Sequence, residues 1–432
     1  MKIRIQRHWK PLLSGLSALA VFLACLFPFR AVLHLHEQQH LFRWTGYYLR
    51  EQLAAGMAGW WELVVSFVTQ FFYYGWLGAA VMALLVVACQ AVTWWLLRLC
   101  RLRRWWAYVL SFVPAGVLFC EVFIPRQWKD DSLLREAAEY DYLVRAQRWD
   151  AILWKSYGQT PETTNAVWCA NYALAKKGML LQRMFDFYQQ SPDGLLLDAG
   201  RMEPLSLHSM SDIMMDLGLV NNAERMAFDA MVQLPDNHKS GRLCKRLAEA
   251  NLVNGSHDVA RKYLHFLEST LFYGRWARER LMGKPDERLE ELKRLRTTSD
   301  TLLSYSIGHA LERLVADHPD NLMARDYLLA YEMLRLDHER VLNLARRFSR
   351  GGHWQAPKSV QECVAGYWML THHEGDSLPM PIEKSIYDNT LQFMQIVSQT
   401  GDMHHPSLDR PPHNHSYWNY QARAKALLSR KP

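Results

Sequence analysis

Hydrophobic residues are concentrated at the front of the chain. Residues 75–97 (GWLGAAVMALLVVACQAVTWWLL) and 105–125 (WWAYVLSFVPAGVLFCEVFIP) are each long enough to cross a bilayer, which takes about 20 apolar residues. A further apolar run over 11–33 follows a basic start at Lys2, Arg4, Arg7 and Lys10. It ends in Pro28-Phe-Arg-Ala-Val without a small-residue cleavage site, so it reads as an uncleaved first helix rather than a signal peptide. Residues 57–74 (MAGWWELVVSFVTQFFYY) are apolar but short and carry Glu62. A carboxylate at the bilayer centre costs about 2.5–3.5 kcal/mol on insertion scales. The pattern therefore predicts spans over about 11–33, 75–97 and 105–124, with 57–74 an interfacial or re-entrant helix.

After residue 125 the spacing of apolar positions becomes helical, and strand-like runs of Val, Ile and Thr are scarce. The clearest unit covers 217–237, where Gly218 is followed by Ala223, Ala230 and Pro235. It resembles the tetratricopeptide repeat: glycine takes the turn, alanines let two helices approach, and proline stops the second. Part of the pattern recurs at Leu247-Ala248, Gly255 and Ala260, with weaker copies near Ala146/Ala151, 170–178 and 329–345. Residues 310–321 end in Pro-Asp-Asn, as the first unit does. Such hairpins bury their apolar faces only by stacking. From 351 to 415 prolines and Gly351-Gly352 interrupt the pattern, although 359–370 and 385–398 remain helical and 417–429 reads as a closing helix. The expected organisation is all-α: a transmembrane region over 1–125, an α-solenoid of tetratricopeptide-like hairpins over 126–350, and an irregular helical cap over 351–432.

Charge decides sidedness. The chain has 432 residues and a net charge of +7, but beyond residue 126 both signs are mixed. The concentrated basic segments are the first ten residues and the turn holding Arg98, Arg101, Arg103 and Arg104. With three spans both lie on the cytoplasmic side, as positive loops do, and residues 126–432 fall outside the cytoplasm, in a bacterium the periplasm. The distribution does not suit nucleic-acid binding. Paired aromatics at 60–61, 73–74, 94–95 and 105–106 fit interfacial anchors. Cys169, Cys244 and Cys363 are the only cysteines beyond the apolar region. They form neither a disulfide framework nor a zinc pattern, and read as buried small hydrophobes.

Candidate chemistry is sparse. His36-Glu37-x-x-His40 matches H-E-x-x-H, which on a helix sets two imidazoles on one face for zinc with the glutamate as general base. Its place directly after the first apolar run is unsuited to a zinc metallopeptidase, and Glu51 and Glu62 are the only nearby third ligands. His404-His405, His413 and His415, with His372-His373 upstream, lack fixed spacing and read as surface histidines. Glu62 reads as a carboxylate reaching headgroup water from a tilted interfacial helix, against the alternative of a group facing a bundle interior. Neither a Walker loop, a dinucleotide fingerprint nor a nucleophile elbow is present.

Several segments together resemble an uncharacterised family of bacterial inner-membrane proteins that joins an N-terminal membrane portion to a helical-repeat C-terminal portion. They are Glu37-Gln-Gln-His-Leu-Phe42, Thr69-Gln-Phe-Phe-Tyr-Tyr-Gly-Trp-Leu-Gly78, 140–154, 171–178, 217–235, 240–255 and Tyr417-Trp-Asn-Tyr420. The resemblance implies that Glu37-Gln-Gln-x-Leu-Phe42 matters rather than the two histidines, and it implies no activity. The expectation is an integral inner-membrane protein whose helical repeats form an interaction scaffold for another envelope protein. No catalytic residue, cofactor or metal is assigned. The alternatives are a membrane enzyme or accessory factor in envelope glycan or lipid processing and, behind it, a zinc metallopeptidase through His36, Glu37 and His40.

Overall fold

A computed structural model describes residues 2–102, 104–189, 191–196, 204–235, 238–297, 307–350, 354–373 and 376–429. Arg103, Asp236, Asn237, Gly351 and Gly352, singled out in the sequence, lie outside the described residues. The fold is all helical, with 76% helix and no strand among the described residues.

Among the described residues three helices are long and apolar enough to cross a membrane: α1 (Lys2–Leu26) through its segment Trp9–Leu26, α5 (Gly75–Leu99) and α6 (Trp105–Phe123). α1 stops earlier than the apolar run it belongs to. Pro28 has no N–H to offer, Phe29 N bonds back to Ala24 O, and a separate helix α2 (Arg30–Gln39) begins. α6 is irregular for a similar reason. Pro114 interrupts the ladder after Leu110, and the last turn, Leu118–Phe123, widens into a π-helix.

The outward faces of these helices are aliphatic: Leu12, Leu16, Leu19 and Leu23 on α1, Leu84 and Val92 on α5, and Val109, Val113 and Val117 on α6 are all exposed. Such a belt is unfavourable in water and costs nothing in hydrocarbon. The inward faces carry a small polar cluster. Gln90 Nε2 donates to Ser111 Oγ (2.9 Å), Ser14 Oγ lies 3.1 Å from Gln90 Oε1, and Tyr108 OH donates to Lys10 O (2.7 Å). With little hydrophobic drive between helices in lipid, such bonds help to hold α1, α5 and α6 together.

Between α2 and α5 lie α3 (Gly46–Ala54), whose first turn is capped by the Thr45 hydroxyl accepting from Tyr48 N, and α4 (Met57–Thr69). The two helices pack closely because Gly59 has no side chain: a Cβ there would lie 1.8 Å from the Gln52 carbonyl oxygen. α4, at 13 residues, is about 20 Å long, short of the ~30 Å hydrocarbon core. Trp60, Trp61, Val64 and Phe67 occupy its exposed face, and Gly59, Leu63, Ser66 and Thr69 its buried one.

The described chain divides into two compact units. The first joins residues 1–142 to 227–290, so it contains the apolar helices together with α7 (Gly241–Asn254), α8 (His257–Glu268) and α9 (Gly274–Leu281). Ser240 caps α7, and Gly255, at φ +80°, closes it with the left-handed turn that favours glycine. α8 packs on α7 and α9 on α8, α8 burying Ala260, Leu264 and Leu267 at helical spacing. The second unit joins 143–226 to 291–432. Its consecutive helices pack as pairs: Trp149–Gly158 with Thr164–Lys176, Ile307–Asp317 with Leu322–Leu334, and Lys358–Thr371 with Lys384–Thr400. Its core holds Trp168, Tyr327, Phe393, Tyr417 and Trp418, and Ala223, Ala330 and Ala345 are fully buried. Gly218 makes the turn after Pro204–Leu217 at φ +98°, where an added Cβ would meet the Leu295 carbonyl at 2.2 Å.

Candidate metal centre

The polar residues of α2 and its end face four ways. His34 and Asp141 are buried, and His34 Nε2 lies 2.7 Å from Asp141 Oδ2. The same oxygen accepts from Arg242 Nη1 at 2.8 Å. Glu37 Oε1 accepts from Tyr273 OH (2.7 Å), and Gln38 Nε2 donates to Glu37 Oε2. Gln38 Oε1 in turn accepts from Ser240 Oγ at 3.4 Å. The ring of Tyr273 comes close enough for this because residue 241 is glycine; a Cβ there would sit 2.4 Å from it. A network of buried, hydrogen-bonded side chains thus joins α2 to α7 and to the residue that precedes α9.

His36 takes a third direction. Its Nε2 donates to the Phe123 carbonyl at 2.7 Å. Burial holds its pKa below the ordinary value, with the hydrogen bond to Phe123 opposing. The H-E-x-x-H pentapeptide therefore does not assemble as a zinc-peptidase helix. α2 ends at Gln39, His40 is extended (φ −130°, ψ 135°), His36 Nε2 is bound to a carbonyl, and Glu37 is hydrogen-bonded to Tyr273.

His40 instead meets Glu62 and His238. Its Nδ1 lies 3.2 Å from Glu62 Oε1, and His238 Nε2 lies 3.4 Å from Glu62 Oε2. The two imidazole rings are 4.8 Å apart, centroid to centroid. One donor atom from each residue falls within 4.8 Å of the others, and this is the one such group of three His, Cys, Asp or Glu side chains among the described residues. All three side chains are partly buried, between 12% and 22% exposed. Three elements deliver them: the end of α2, the middle of α4 and the irregular segment leading into α7. On α4, Glu62 lies one turn before Ser66, whose hydroxyl donates to the Glu62 carbonyl and contacts Tyr48 OH at 3.1 Å. Glu62 is thus turned toward two imidazoles within the first unit, away from the tryptophan face. His238 had no motif around it in the sequence, and no spacing rule connects it to His40.

The other sequence candidates do not converge. Glu51 is exposed. His372 stacks on Trp368, His405 pairs with Ser407, His413 is buried against Phe393, and His404 and His415 are exposed. In the second unit a polar cleft is lined by Asp186, Asp409, His415 and Arg423 among others. Its charges are already paired, Asp186 with Arg183 and Asp409 with Arg423. All seven cysteines are free thiols; burial pushes Cys244 up to about 12, and Cys363 is raised by the same cause.

Comparison with known proteins gives one result. The model of a family of unknown function, DUF6057, matches residues 6–124 and 119–423. No curated protein and no solved structure matches the chain.

Proposed function

The chain belongs to that family, and we propose that it acts as a membrane-anchored scaffold: its helical pairs form a tetratricopeptide-like α-solenoid presented at the outer face of a bacterial inner membrane to bind another envelope protein. The observation that carries this reading is the composition of the first unit. α7, α8 and α9 share one compact body with the apolar helices and are joined to α2 by buried bonds from Arg242, Ser240 and Tyr273. A helical surface held in this way is a fixed platform, which suits recognition by extended helical surfaces. The turn glycines at 218 and 255 and the buried alanines at 223, 260, 330 and 345 support the paired-helix pattern that such solenoids use. The arginine-rich turn between α5 and α6 supports an outward-facing C-terminal portion.

Two measurements test the reading. Alkaline phosphatase fused after residue 200 should be active and after residue 101 inactive; the reverse would place the helical pairs in the cytoplasm and remove the envelope partner. Site-specific crosslinkers on exposed positions of the second unit, such as Trp154 and Leu370, should yield one recurrent adduct in intact membranes. Adducts no different from those of a crosslinker placed on the lipid-facing Leu84 would count against a scaffold.

A further inference from the structure

We propose that His40, Glu62 and His238 bind one divalent transition-metal cation of the zinc class, with a fourth position left for water. The inference stands on the geometry of this cluster and is independent of the scaffold reading.

Donor chemistry comes first. Two imidazoles and one carboxylate form the ligand set of open zinc sites, in which three protein groups hold the ion and a solvent molecule completes it. Imidazole selects against calcium and magnesium, which take oxygen ligands. Distances come second. Around an ion with bonds of about 2.0–2.1 Å, neighbouring donors of a tetrahedron lie about 3.3 Å apart. Each carboxylate oxygen meets one imidazole at a comparable separation, Glu62 Oε1 with His40 Nδ1 at 3.2 Å and Glu62 Oε2 with His238 Nε2 at 3.4 Å. The widest donor separation, at most 4.8 Å, closes to that edge with a ring shift of about 1.5 Å.

The cluster is also poorly satisfied by its own members. N–H···O bonds favour about 2.9–3.0 Å, and both contacts here are longer. Two histidines face each other at 4.8 Å, both in contact with one carboxylate, an arrangement that a cation would complete. The ion would tie α4 to the end of α2 and to the segment entering α7. It would thus stabilise the first unit at the point where its two stretches of chain meet.

The test uses the full-length protein in detergent, without a polyhistidine tag, stripped with chelator and reloaded with zinc alone. Metal analysis after gel filtration should give one equivalent per chain, and zinc should raise the midpoint of thermal unfolding. Cobalt in its place should give the intense visible absorption of a four- or five-coordinate ion. Glu62→Gln preserves the size of the side chain and should weaken zinc at least tenfold, and His40→Asn with His238→Asn should abolish the stoichiometric site. His404→Asn with His405→Asn should leave it intact. The proposal is overturned if the folded wild type takes up no zinc or if magnesium competes on equal terms. It is likewise overturned if the His40/His238 variant keeps the equivalent at wild-type helicity, or if loss follows the His404/His405 variant instead. Should that double variant fail to fold, Glu62→Gln and the cobalt spectrum decide alone, and an unchanged spectrum in Glu62→Gln would sink the site.

Discussion

Asp141 is fully buried, and one of its oxygens is shared between the Arg242 guanidinium and the His34 imidazole. Removing one partner of a buried pair leaves the other charge uncompensated, a loss of about 3–5 kcal/mol. Asp141→Ala should therefore lower the stability of the first unit by that amount, read from denaturant unfolding in detergent, and Asp141→Asn should cost less. Glu362 makes a different use of burial. Its carboxylate accepts from the Tyr417 amide at 2.9 Å, and burial raises its pKa against the pull of Lys358. A buried acid with a raised pKa binds its proton more tightly when folded. Its contribution is then greatest below the ordinary carboxylate pKa and is lost as pH rises through the raised value. Glu362→Gln should stabilise the protein near neutral pH and make little difference at about pH 4; thermal unfolding of both proteins across that range is the check, and parallel curves would refute it.

Local pattern reveals elements better than it reveals meetings between them. The three apolar helices, the short α4 and the turns at Gly218 and Gly255 were all legible, because each depends on neighbours within a few residues. The early end of α1 was signalled only by Pro28, inside a run that hydropathy alone joins together. The convergence of His40, Glu62 and His238 was not legible: its members come from separate elements, and no periodicity links an irregular segment before α7 to the middle of α4. The histidine pair that did stand out, His36 and His40, is divided by the end of α2, which sends one ring to a carbonyl and the other to Glu62. Close packing was equally hidden. Gly59 reads as an ordinary glycine in an apolar helix, yet its Cβ position lies on the Gln52 carbonyl. Gly59→Ala should separate α3 from α4 and raise protease sensitivity around residues 46–69, with helix content elsewhere unchanged. On α5, Gln90→Leu should loosen α1 and α6 by about 0.6 kcal/mol, the average for hydrogen bonds between helices in lipid, and by no more than about 1.7 kcal/mol, the largest, measured as the shift in unfolding by a denaturing detergent.

Across the whole molecule neither compact unit is a continuous piece of chain. Residues 227–290 complete the body that begins with α1, and 291–432 complete the one that begins at 143. A chain ended after residue 226 should leave Glu37 without Tyr273 and Asp141 without Arg242. Limited proteolysis should then cut within residues 30–75 of the shortened protein and spare the same stretch of the intact one.

That interleaving sets a timetable for biogenesis. A ribosome releases the greasy helices long before it reaches Arg242 and Tyr273. During that interval Glu37 has Gln38 and not yet Tyr273, and Asp141 has His34 and not yet Arg242. An insertion factor or chaperone acting in this window would shelter two acids, and its task would end when Tyr273, just ahead of α9, arrived.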